Sequence, residues 1–207
     1  RKGWRHCFRK SILLMQDEGY IKFTVDWIDA RIPHNPWIPV ITRTRAFCYD
    51  RGWIGRLPNG VGYGNISVRL PDGTFLISGT QTGHKRMLTR KDYAIVSDYD
   101  IPENRLRCLG MCRASSESMT HASVYEADVS IGAVIHIHNA DLWQQYLHQL
   151  PTTDAAIPYG TPAMAEAVQA LVKRYPGQVI VMGGHEGGLI AYGDSLRRAQ
   201  QRLVAIS

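Results

Sequence analysis

The stretch Val134-Ile-His-Ile-His-Asn139 sets how the rest of the chain is read. Side chains in a strand alternate with a period of two, so Val134, His136 and His138 face one way and Ile135 and Ile137 the other. A strand of this kind offers two nitrogen ligands to one metal. Taken alone, the same His-x-His is equally the polar face of a surface strand. The choice rests on what the flanking sequence supplies.

Working outward, residues 133–138 read as a strand followed by a helix over 141–150 that Pro151 stops. Thr161 before Pro162 is a helix start, a capping hydroxyl and then proline in the first turn, and the helix should last to about Arg174. Pro176-Gly177 breaks it, the apolar run 179–182 is a buried strand, 189–192 is another, and Asp194 caps a last helix. Upstream, 116–128 reads as a helix and 93–97 and 105–109 as strands. Residues 66–70 and 74–78 make a hairpin through Pro71-Asp72-Gly73. A helix over 42–51 should stop at Gly52, and residues 31–40, with three prolines, should be irregular. Before them stand an extended piece at 21–27 and a helix over 4–17 ended by Gly19. Strands that alternate with helices yet include a hairpin indicate an α/β fold, a single-domain three-layer α/β/α sandwich around a mixed sheet.

Composition narrows the function classes. With 207 residues, 44% hydrophobic and 20% charged, the chain can bury the core of one globular domain. Cys7, Cys48, Cys108 and Cys112 lack the paired spacing of a structural zinc site, and reduced thiols in a cytoplasmic protein are the simplest account. The apolar residues 12–15 are too short for a signal core. No window approaches the roughly 20 apolar residues that span a bilayer. The formal charge of +6 is spread along the chain instead of forming a stripe with interleaved aromatics, so neither nucleic acid nor membrane is an expected partner. A small anionic substrate suits that balance.

Three further pieces bear on the His-x-His pair. His185, in Val181-Met-Gly-Gly-His-Glu-Gly-Gly188, lies past a strand in a glycine-dense turn, where a ligand can be aimed. A third histidine would complete a catalytic zinc set with one position open; the alternatives are a loop histidine without that role, or ligation by Glu186. Arg113-Ala-Ser-Ser-Glu117 ends a loop and opens a helix, where backbone N–H groups and the hydroxyls of Ser115 and Ser116 suit a phosphate or carboxylate. Glu117 is there either a dipole partner or, if it faces the metal, a base. Finally, the glycines of 60–65 precede a strand and lack the Gly-Lys-Ser/Thr ending, which excludes a dinucleotide or P-loop site. Thr82 and Gly83, at the next strand end, form either a small anion nest or an ordinary hairpin terminus. His84, Lys85 and Arg86 read as a solvated basic run or as a charge near that nest.

Taken in order, Gly-Asn-Ile-Ser at 64–67, Thr-Gly at 82–83, Ser-Ser-Glu at 115–117, His-Ile-His at 136–138 and the glycine-flanked His185 resemble the class II aldolase/adducin family over residues 42–207. The resemblance implies that His136, His138 and His185 hold Zn2+, or another divalent ion such as Mn2+ or Co2+. It implies Glu117 as the catalytic carboxylate, and Asn65, Thr82, Gly83, Ser115 and Ser116 as the residues around a substrate phosphate. It also implies a largely antiparallel sheet and a homo-oligomer, a tetramer in most such enzymes. The expected activity is carbon–carbon lyase chemistry of the aldolase type on a keto-sugar phosphate or related keto acid, through a metal-stabilised enediolate. A decarboxylase or dehydratase on the same fold, and a non-enzymatic adducin-like module, are the alternatives. Two departures stand out: relatives usually have Gly-Leu directly after the third histidine, whereas Glu186 and Gly187 intervene here, and residues 1–41 have no counterpart, which makes them an extension packed on the domain.

Overall fold

The structure, a computed structural model, describes residues 20–207. The helix expected over 4–17, and Cys7 with it, lie outside the described residues. In chain order come β1 (Thr24–Asp29), α1 (Trp37–Asp50), β2 (Gly55–Arg56), β3 (Gly62–Tyr63), β4 (Asn65–Arg69), β5 (Phe75–Ser78), β6 (Tyr93–Asp100) and β7 (Arg105–Gly110). They are followed by α2 (Ser118–Ala127), β8 (Ala133–His138), α3 (Ala140–Tyr146), α4 (Pro162–Arg174), β9 (Ile180–Val181), β10 (Gly188–Gly193) and α5 (Leu196–Val204).

Eight strands form one sheet in the order β1-β7-β6-β5-β4-β8-β10-β9. β1 runs parallel to β7, and every other neighbouring pair is antiparallel. The sheet is therefore mixed and largely antiparallel, with helices on both faces, as the sequence implied. Alternation decides which core each strand residue joins. Phe75, Ile77, Val134 and Ile190 pack with Met119, Ala122, Met164 and Val168 of α2 and α4. Ile66, Leu76, Ile135, Ile137 and Leu189 pack on the other side with Ile41 and Cys48 of α1 and Leu196, Ala199 and Leu203 of α5. β8 lies between β4 and β10, so its two faces feed two different cores and its histidines are carried by an interior strand.

Several expectations about the elements are corrected: the helix after β8 ends at Tyr146, ahead of Pro151. The proline-rich stretch is not irregular throughout: α1 starts at Trp37, five residues ahead of the expected position. Pro39 falls in its first turn, where the backbone N–H groups have no partner within the helix and a missing one costs nothing. Asn35 Oδ1 accepts a hydrogen bond from the Trp37 N–H at 2.9 Å and so secures that entry. α5 is capped by Ser195, whose hydroxyl accepts from the Arg198 N–H at 3.3 Å, and not by Asp194. Lastly, the glycine-rich segment before β4 contains the two-stranded β2–β3 hairpin, too short to leave a periodic signal. No helix among the described residues is long and apolar enough to cross a membrane.

Candidate metal centre

β8 ends with His136 and His138 on the face turned toward α2, and the imidazoles converge: Nε2 of one lies 3.1 Å from Nε2 of the other. His136 Nδ1 is 3.2 Å from the Leu189 carbonyl. A carbonyl only accepts, so Nδ1 carries the proton and Nε2 is left with its lone pair pointing at the cluster. Burial, with the neighbouring histidines adding to it, holds the pKa of both His136 and His138 well below the usual imidazole range. Both are therefore neutral at physiological pH, the form that binds a cation.

The third imidazole arrives by a turn. His185 N–H donates to the Met182 carbonyl at 3.1 Å, Gly188 N–H donates to the His185 carbonyl at 2.8 Å, and Asn139 N–H donates to the Gly187 carbonyl at 2.8 Å. Gly187 takes φ +80°, a left-handed conformation that favours glycine. The two extra residues are absorbed inside this loop, and Gly188 re-enters the sheet opposite His138. Glu186 is exposed and lies at the edge of the larger cavity beside the cluster. One ligand atom each from His136, His138 and His185 thus lies within 4.8 Å of the others. Three imidazole nitrogens around a gap fit a tetrahedral divalent ion with one open position, for which neighbouring ligand nitrogens stand about 3.3 Å apart.

Around this cluster the structure gathers the other residues that the family resemblance implied for the site. Glu117, buried at the N-terminal end of α2, has Oε1 3.9 Å from His185 Nδ1 and accepts a hydrogen bond from Thr120 Oγ1 on Oε2 at 3.1 Å. Its side chain does not cap the helix and faces the histidines instead. Asn65, the register partner of His136 on β4, lines the same cavity as Thr82, Gly83, Ser115, Ser116, Glu117 and the three histidines. The cavity holds about 20 Å³, space for an ion or a water. Asn65 Oδ1 is buried in it without a hydrogen-bond partner among the described residues. Lys85 and Arg86, by contrast, are turned to Asp92 and Asp50, so the basic run after Gly83 is not aimed into the cavity.

Sequence reasoning missed the aromatic surround. The Tyr159 ring stacks on His185 with centroids 4.2 Å apart and planes 17° from parallel. The Tyr63 ring tilts against His138 at 5.6 Å. Both belong to a second cavity of about 640 Å³, which also takes in Leu57, Trp143, His138 and His185. No local pattern in the sequence singled out either ring. Behind Glu117, His121 Nδ1 and Tyr125 share the Ser67 hydroxyl at 2.7 Å each, and burial pushes His121 down to about 3, so it is a neutral core residue.

Comparison with known proteins bears on the fold and the family. The family described as Class II Aldolase and Adducin N-terminal domain matches residues 44–207. A methylthioribulose-1-phosphate dehydratase of Gluconobacter oxydans is 36% identical over 90 residues, which are 44% of this chain and 38% of that protein. One of Gluconacetobacter diazotrophicus is 41% identical over 76 residues, 37% of this chain and 34% of the relative. The matched stretch thus spans less than two fifths of either relative. Among solved structures, the L-fuculose-1-phosphate aldolase of Thermus thermophilus superposes with TM-score 0.62 at 21% identity, covering 82% of this chain and 88% of that one. YgbL of Klebsiella pneumoniae gives TM-score 0.62 at 21% identity, covering 81% and 83%. At such identities the structural likeness speaks for the fold, while the match over residues 44–207 speaks for descent: the chain belongs to the class II aldolase and adducin family.

Proposed function

We propose that the chain is a metal-dependent lyase that removes water from a phosphorylated ketose. The observation that carries the reading is the placing of a buried carboxylate, Glu117, beside three convergent imidazoles, with hydroxyl and amide groups on the far side. A divalent ion held by His136, His138 and His185 would supply positive charge for oxygen next to the reacting carbon, and Zn2+ suits three nitrogen ligands with an open position.

Glu117 takes the proton from the carbon next to the ketone. Loss of the hydroxyl from the following carbon, which leaves with a proton as water, gives an enol that tautomerises to a diketone. Asn65, Thr82, Ser115 and Ser116 hold the phosphate end. The 640 Å³ cavity with Leu57, Tyr63, Trp143 and Tyr159 receives the rest of the substrate, and its apolar side chains favour an apolar tail over a hydroxylated one. That preference, with the name borne by the curated relatives, puts dehydration ahead of the aldol cleavage expected from sequence. Three imidazoles within 4.8 Å also weigh against a non-enzymatic module.

The test is incubation of the zinc-loaded chain with methylthioribulose 1-phosphate and, separately, fuculose 1-phosphate. Diketone formation from the first, lost with a chelator and regained with zinc, is the expected result. Aldehyde release from the second, with no diketone from the first, would assign an aldolase instead. Inertness toward both with metal bound counts against this substrate class.

A further inference from the structure

The cavity assigned to the substrate's anionic group is lined by hydroxyls, amides, glycines, Glu117 and the three histidines, and among the described residues no lysine or arginine side chain lines it. A phosphate or carboxylate held there needs positive charge beyond what hydroxyl dipoles give. Among the described residues, Arg45 on α1 is the single lysine or arginine that is fully buried. Its Nη2 donates to the Thr82 carbonyl at 2.7 Å and its Nε to the Lys85 carbonyl at 2.9 Å. Those carbonyls are the two ends of one turn, which the Lys85 N–H closes by donating to the Thr82 carbonyl at 3.0 Å. Thr82 and Gly83, inside that turn, line the cavity.

The guanidinium feels the charge of Asp92 without pairing directly with a carboxylate. Among the described residues no carboxylate stands within ion-pair reach of it. Asp92, the acid of that neighbourhood, is engaged by Lys85 and by the N–H and hydroxyl of Thr89. Arg45 Nη1 is buried without a hydrogen-bond partner among the described residues. A buried cation with carbonyl partners alone is a costly way to fasten a turn, and an apolar side chain would fill the space with less loss of hydration. Its use must lie in something a hydrophobic residue does not give.

We infer that Arg45 is a positioning residue for the anion site: from behind, it holds the 82–85 turn in the shape that presents Thr82 and Gly83, and it supplies the positive charge that the lining lacks. The ligand class is a phosphate or carboxylate group of a small molecule. The inference rests on the reading of this cavity as an anion site.

Calorimetric titration of inorganic phosphate into the zinc-loaded chain tests it, on the wild type, Arg45→Met, Arg45→Lys and, as a control, Thr42→Val. Thr42 lies on the same helix and shares a hydrogen bond with Tyr93 at 2.9 Å, away from the turn's carbonyls. Arg45→Met should keep its zinc and weaken phosphate by roughly 10-fold or more, which equals about 1.4 kcal/mol of lost interaction. Arg45→Lys, with the charge retained but a single donor head for two carbonyls, should fall between. Thr42→Val should lower the melting temperature and leave phosphate affinity unchanged, which separates positioning from general stability. Phosphate affinity within twofold of wild type in a folded Arg45→Met protein overturns the inference; should that variant not fold, the same result in Arg45→Lys does so. A wild type that does not take up phosphate removes the anion-site reading and this inference with it. That outcome is read from the wild type alone and so is not confused with a failure of Arg45.

Discussion

β8 and the turn from Gly183 to Gly188 deliver imidazoles to the same point by opposite means. In β8 the backbone does the work: strand alternation aims His136 and His138 together, hydrogen bonds from β4 and β10 fix the strand on both sides, and Ile135 and Ile137 anchor its other face in the core. The turn has no such repeat. His185 is aimed by a closed loop of backbone hydrogen bonds, by glycines pressed against the 153–157 segment, and by the Tyr159 ring laid on its imidazole. Ligands on a paired strand tolerate changes around them, whereas a ligand on a loop depends on everything that shapes the loop.

Removal of a ligand is the largest change and should treat both regions alike. His136→Ala or His138→Ala should abolish tight zinc binding and all activity, since two nitrogens make an inadequate site. Metal analysis after dialysis is the check, and full occupancy in either variant would sink the assignment of β8 as the ligand strand. Glu117→Gln is the next largest. It keeps the size and the Thr120 contact but cannot take a proton, so zinc content should hold while turnover falls by ~100-fold or more. A variant that instead loses its zinc would mean that Glu117 belongs to the metal's support and not to the chemistry.

The turn is where a change without any loss of ligand should still be felt. A Cβ on Gly184 would run into the Ile157 carbonyl, and one on Gly183 into the Thr153 carbonyl. Backbone cannot yield as a flexible side chain does, so Gly184→Ala should displace His185 and weaken zinc by roughly 10- to 100-fold, the range seen when the support of a ligand is lost. Competition with a chromogenic chelator reads this directly. Conservative change at Ile137, on the far face of β8, should cost about 1 kcal/mol of stability and leave zinc affinity where it was. Equal effects of the two substitutions on the metal would dissolve the contrast between strand and turn.

The same contrast explains what could be read from sequence. The His-x-His pair was legible because a period of two leaves no freedom about which residues share a face. Ser115, Ser116 and Glu117 were legible because a loop entering a helix has a defined polarity. The closure of the turn was not, since whether Glu186 and Gly187 push His185 out of reach depends on Gly187 at positive φ and on Gly188 meeting His138 in register. The parallel pairing of β1 with β7 was equally hidden, because the two lie far apart in sequence and are matched residue by residue from Thr24 with Arg105 to Asp29 with Gly110. Arg45 gave no signal at all: one arginine in a helix looks like surface until the turn that it fastens is folded against it.

The smallest expected effect probes the outermost support of the turn. Lys22, just ahead of β1, places its Nζ 4.0 Å over the Tyr159 ring and 3.4 Å from the Tyr159 carbonyl, so a residue from outside the family's matched span is two contacts away from a candidate metal ligand. A partly exposed cation on an aromatic face contributes about 0.5–1 kcal/mol. If that energy serves to hold Tyr159 against His185, Lys22→Met should weaken zinc by roughly 2- to 5-fold. Lys22→Arg, which keeps the cation over the ring, should restore it. Tyr159→Leu removes the stacked ring itself and should do more than Lys22→Met without reaching the effect of Gly184→Ala, because the backbone path of the turn is untouched. The double variant Lys22→Met with Tyr159→Leu then decides how the segment acts: if Lys22 works through the ring, the double variant is no weaker than Tyr159→Leu alone. Additive losses would mean that the segment before β1 stabilises the domain generally, and that the turn ends its chain of support at Tyr159.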